Sequence, residues 1–128
     1  MASRNVALDD SAWNFDPPLA NPDEEFALAE AIRCSTGLTE LHLFDSRLSN
    51  AGIDAIVKAL QSTAIVLVDV GNTGIEDQAV SALVSLVATV PSLKVLYVGG
   101  NFICNMQPLL DAFAGKQGQL ETIGNVCK

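Results

Sequence analysis

Basic side chains are scarce in this sequence. Seven Lys and Arg stand against 15 Asp and Glu, for a formal net charge of -8. No Lys/Arg cluster occurs, so nucleic acid, whose binding rests on neutralising phosphates, is not an expected partner. Anionic lipid surfaces are disfavoured on the same ground. Cysteine is sparse as well: Cys34, Cys104 and Cys127 form neither a C-x-x-C pair nor a Cys/His cluster, which leaves no basis for a metal centre. The odd count, and an N-terminus without the apolar core of a secretory signal, point to reduced thiols and a cytoplasmic protein. Long apolar runs are missing too. The longest apolar-rich stretch, from Ala79 to Val90, is broken by Ser81, Ser85 and Thr89 and is too short to span a bilayer.

What is present is a folded composition, 49% apolar and 17% charged over 128 residues, and a repeat. L-T-E-L-H-L-F-D-S-R-L, from Leu38 to Leu48, places Leu38, Leu41 and Leu43 on a short buried strand and returns Leu48 to the core. A shift of 27 residues reproduces the pattern as Ile65, Val68, Val70, Thr73 and Ile75. A further shift of 28 gives Leu93, Leu96, Val98, Asn101 and Ile103. Helical periodicity fills the intervals: Ile53, Ile56, Val57 and Leu60, then Val80, Leu83, Val84 and Val87 on the same frame. Three in-register copies of a strand-turn-helix unit specify a stacked architecture with repeats at about 38–64, 65–92 and 93–119.

The flanks are less regular. Residues 1–24 form an acidic and aromatic segment, in which Val6 and Leu8 alternate as a strand and Pro17, Pro18 and Pro22 exclude a continuous helix. Its Trp13 and Phe15 either cap the open end of the core or dock another protein. Asn21 or Asp23 can cap a helix in which Leu28 and Ile32, with Phe26 and Ala29 beside them, make one apolar stripe, ending at Gly37. Ser49 or Asn50 can cap the second helix and Asp77 the third, while Pro108 opens a fourth with Leu109, Leu110 and Phe113 as its apolar residues. Beyond Gly115 and Gly118 the repeat decays: Leu120, Ile123 and Val126 look strand-like, but Asn125 falls where the frame wants an apolar residue.

LTELHLFDSRL, IVLVDVGNTGI and LKVLYVGGNFI resemble the leucine-rich repeat, and the long helical unit resembles its ribonuclease-inhibitor-like subtype. The resemblance implies a short right-handed αβ solenoid, with a parallel sheet on the concave face and helices on the convex one. In scale, and in F-A-L-A-E-A-I at Phe26–Ile32, the chain is similar to the tropomodulin C-terminal domain. Ran GTPase-activating proteins share the repeat, but none of their functional positions carries over by motif. The turn position departs from the pattern: it holds Ser46, then Thr73, and only then Asn101. Ser and Thr offer the loop backbone fewer hydrogen bonds than Asn, so a less regular turn is expected there. Such repeats generally bind proteins.

Strand alternation assigns the outward residues to three rows: Glu40–Leu67–Val95, His42–Asp69–Tyr97 and Phe44–Gly71–Gly99. Asp69, between an imidazole and a phenol, could orient both. Catalysis would need a nucleophile beside His42. Ser46 sits in a structural turn and no cysteine falls in the rows, so no enzyme activity and no cofactor are expected. Glu40, His42, Phe44, Leu67, Asp69, Val95 and Tyr97 instead form a candidate protein-binding face, with Gly71 and Gly99 leaving a depression beside Phe44. The expected function is a scaffold for a protein partner, or alternatively a structural subunit docked through Trp13/Phe15 or the open repeat ends, which could also pair two copies of the chain.

Overall fold

The structure is a computed structural model that describes residues 11–127; the strand expected at Val6 and Leu8 lies outside the described residues. Five parallel strands among these residues form one sheet in sequence order. They are β1 (Ala12–Asn14), β2 (Glu40–His42), β3 (Leu67–Asp69), β4 (Val95–Tyr97) and β5 (Gln119–Glu121). Between them run α1 (Pro22–Arg33), α2 (Asn50–Leu60), α3 (Val80–Thr89), preceded by a 3-10 turn at Asp77–Ala79, and α4 (Gln107–Phe113). The sheet is concave and the helices cover its convex side. No helix of the described residues is long and apolar enough to cross a membrane.

The ladder has more rungs than the three legible ones. Trp13 pairs with Leu41, Leu41 with Val68, Val68 with Leu96, and Leu96 with Leu120. The successive shifts are thus 28, 27, 28 and 24 residues. The C-terminal segment does not leave the repeat. It continues in a shortened frame because α4 has only 7 residues where α1 and α2 have 12 and 11. On that frame Asn125 follows Asn101 as the turn residue, and it does a turn residue's work. Its Oδ1 accepts from Ile103 N–H (3.1 Å), and its Nδ2 donates to Val98 O (3.0 Å) and Thr122 O (2.9 Å).

Backbone geometry repeats with the frame. Asp45, Asn72, Gly100 and Gly124 occupy one position of successive turns, and all have positive φ, from 53° to 89°. Asn and Asp tolerate this region better than other side chains do, and Gly adopts it freely. Inside the turns Ser46, Thr73 and Asn101 are buried and satisfied. Asn101 uses its whole amide: Oδ1 accepts from Thr73 N–H (2.7 Å) and Gly74 N–H (2.9 Å), while Nδ2 donates to Val70 O and Val98 O, both at 2.9 Å. Thr73 therefore needs only its bond to Val70 O (2.8 Å), and Ser46 Oγ accepts from Leu19 N–H (2.9 Å). The missing asparagines cost little regularity because each turn borrows hydrogen bonds from the next.

The core is one apolar layer between sheet and helices. Leu28, Ile32, Leu41, Leu43, Ile53, Leu60, Ile65, Leu83, Leu86, Leu93 and Leu96 are fully buried, each worth about 1.5–3 kcal/mol of transfer free energy. Asn21 and Ser49 cap α1 and α2 as expected, accepting from Glu24 N–H and Gly52 N–H. Several expectations need correction. Asp77 does not cap α3; its Oδ1 instead accepts from Cys104 N–H (2.7 Å) and Asn105 N–H (3.3 Å) in the neighbouring turn. Phe26 and Leu110 are exposed, since Leu28 with Ile32, and Leu109 with Phe113, already fill the core-facing sides of their helices. Cys34 is exposed and free, and Cys104 and Cys127 are joined in a disulfide. The pairing follows from the last rung. Asn125 and the bond from Val126 N–H to Asn101 O (2.9 Å) lay the tail against the turn that carries Cys104. The cysteines therefore give no support to a reducing compartment.

Candidate functional site

The strand register sets Glu40 beside Leu67 beside Val95, and His42 beside Asp69 beside Tyr97. β5 extends both rows, with Gln119 next to Val95 and Glu121 next to Tyr97. The outward residues of β2, β3 and β4 are half-buried while Leu41, Val68 and Leu96 between them are fully buried, as strand alternation requires. One turn further on, the Gly71–Gly99 row ends at Phe44 on one side and at Ile123 on the other. Phe44 is 54% and Ile123 78% exposed.

Between these two side chains lies a depression of about 600 Å³, lined also by Asp69, Asn72, Tyr97 and Glu121. Its floor is bare backbone with little room above it. A Cβ on Gly71 would stand 3.0 Å from the Phe44 ring and 3.1 Å from Asp69 Oδ1. One on Gly99 would strike the Ile123 carbonyl oxygen. Two large apolar walls around a backbone floor form a socket shaped for a side chain supplied from outside.

The polar middle row is organised differently from the expectation that Asp69 orients both neighbours. Asp69 Oδ1 accepts from Gly71 N–H at 2.9 Å, two residues along its own chain. His42 Nε2 lies 3.1 Å from Glu40 Oε1, again within one strand. Each outward acid finds a partner at i+2 because alternate residues share a face. Glu121 repeats the device, with Oε1 accepting from Ile123 N–H at 2.8 Å. Ser46 is buried inside the turn after β2, with its hydroxyl accepting from Leu19 N–H. Among the described residues no group of three His, Cys, Asp or Glu could hold a metal ion.

Trp13 and Phe15 lie at the other end of the molecule. β1 adds to the edge of β2, Phe15 is buried and Trp13 packs partly buried against the core. Sequence reasoning passed over Glu121 and read Ile123 and Asn125 as part of a decaying repeat, whereas a 24-residue shift puts all three on the frame. Sequence reasoning also passed over Glu25, which is 1% exposed and accepts from Ser49 N–H (3.0 Å) and Ser49 Oγ (2.7 Å). The signal was an acid on the buried stripe 25, 28, 29, 32. Gly52 is required opposite it, since any Cβ there would overlap the Glu25 side chain.

No family model matches the chain, and no curated protein matches it. Solved structures do. The chain is similar to the actin-binding site 2 of leiomodin-1, with a TM-score of 0.65 and 15% identity over 80% of this chain and 63% of that one. It is also similar to the tropomodulin C-terminal domain of Caenorhabditis elegans, with a TM-score of 0.61 and 25% identity over 80% of this chain and 62% of that one. The chain spans less than two thirds of either neighbour. What it shares with them is a leucine-rich-repeat-like fold built on a parallel sheet.

Proposed function

We propose that this chain is a non-catalytic protein-binding scaffold that needs no cofactor and holds its partner on the concave sheet. Glu40, His42, Phe44, Leu67, Asp69, Val95 and Tyr97 are the contact residues, now joined by Glu121 and Ile123. The observation that carries the reading is the socket: exposed Phe44 and Ile123 facing each other across Gly71 and Gly99. Apolar walls of this size on an otherwise acidic, well-packed chain fit a hot-spot pocket. The leiomodin-1 neighbour is itself an actin-binding site, which supports a protein-binding role for the architecture. The 27- and 28-residue units with full helices favour the ribonuclease-inhibitor-like kind of repeat. Recovery of partner proteins on immobilised chain tests the face: Tyr97→Ala and Asp69→Ala should each reduce recovery while leaving thermal stability within about 1 kcal/mol. Undiminished recovery with both variants sinks the concave-face assignment.

A second reading, a structural subunit docked or self-paired through an open end, is favoured by the exposed Leu110 and Val126 beside β5, the last described strand of the sheet. Light scattering after size exclusion tests self-pairing. A dimer that Leu110→Ser converts to a monomer supports the end contact; a monomer throughout removes it.

A further inference from the structure

We infer that the concave socket takes an apolar side chain from a basic protein segment, an inference that rests on the concave-face reading above. The charge of the face carries it. Glu40, Asp69 and Glu121 stand on the outward rows, and no Lys or Arg does so among the described residues. The described cations are placed off these rows: Arg47 is exposed in the turn after β2 and Lys94 is exposed just ahead of β4. Arg33 pairs with Glu30 on α1 and Lys58 with Asp54 on α2, while the Lys116 ammonium donates to Leu93 O (3.0 Å) at the edge of the stack. His42 is the one basic side chain on the rows and already lies against Glu40.

The two acids nearest the socket are held in place. Asp69 and Glu121 flank Tyr97 in one row, and each leans one oxygen on the N–H two residues ahead, leaving the other oxygen available to an incoming donor. A Lys or Arg above Tyr97 would meet a carboxylate on either side, with the Tyr97 ring between them. The socket floor, Gly71 and Gly99, lies two residues past Asp69 and Tyr97 on their own chains, about 7 Å away at strand rise. A segment with an aromatic or aliphatic anchor and a cation two residues from it, in extended conformation, matches both features at once. An acidic segment would bring like charges together, which costs affinity and slows encounter.

The test is an unbiased selection of random 12-residue peptides displayed on phage against the intact chain, followed by fluorescence anisotropy of the recovered sequences as synthetic peptides. Phe44→Ala/Ile123→Ser removes the walls, and Asp69→Asn/Glu121→Gln removes the charge while keeping an acceptor for each N–H. Circular dichroism melting of both variants checks that the fold persists. The expected result is net-positive peptides with an apolar anchor that bind at least about tenfold more weakly to the wall variant. Their affinity should fall with added salt for the unaltered chain and much less so for the charge variant. Neutral or acidic peptides that still depend on Phe44 and Ile123 overturn the basic occupant and leave the concave face standing. Recovered peptides indifferent to the wall variant, or no binder at all, overturn the face and with it this inference.

Discussion

The first and last rungs of the described residues are built by different chemistry. At the first, Phe15 and Leu19 are buried and Trp13 packs beside them. At the last, Leu120 is only half-buried, and Leu110, Ile123 and Val126 face outward. That rung is held by Asn125, which ties its turn to Asn101's, and by the Cys104–Cys127 disulfide. Apolar side chains hold the first described rung, and polar and covalent ties the last. The second device leaves large hydrophobic groups free to act outside the core, and Ile123 is the one that reaches the concave socket.

Substitutions can break this contrast in order of expected effect. Phe15→Ala should destabilise most, by about 3 kcal/mol, the low end for a buried Phe because the site is at the edge of the core; chemical denaturation followed by circular dichroism measures it. Removing the disulfide with Cys104→Ser/Cys127→Ser should cost about 2–3 kcal/mol for a 23-residue separation, and reducing the unaltered chain should give a similar loss. Asn125→Ala should cost about 1–2 kcal/mol by leaving Ile103 N–H and Val98 O without this partner. Its effect should be larger in the reduced chain than in the oxidised one, since both ties hold the same turn. Ile123→Ser should change stability by less than about 0.5 kcal/mol and still impair binding. Equal losses for Phe15→Ala and Ile123→Ser would erase the distinction between the two rungs.

The central rungs were legible because each contains a complete helix, so the apolar frame recurs at 27 and 28 residues and fixes which side chains face outward. The final rung was hidden by the short α4, which advances the frame by 24 and puts Asn125 where a longer unit would place an apolar residue. At the N-terminal side Trp13 stands for a leucine, and the prolines after it mask the turn. The disulfide could not be read from cysteine spacing, because it depends on how that last turn folds back. Asp77 was misjudged because a carboxylate at a helix start looks like a local cap, and Glu25 went unread on its buried stripe; both serve the backbone or cap of an adjacent unit. In a stack, long-range partners sit one repeat away and compete directly with local ones.

Backbone and methyl NMR shifts of the labelled chain, recorded while one of the selected peptides is titrated in, test the concave-face claim most directly. The account predicts that the largest changes fall on Phe44, Gly71, Gly99, Tyr97 and Ile123, with α1 to α4 nearly still. Changes confined to the helices, or to the Leu110 and Val126 end, would contradict it.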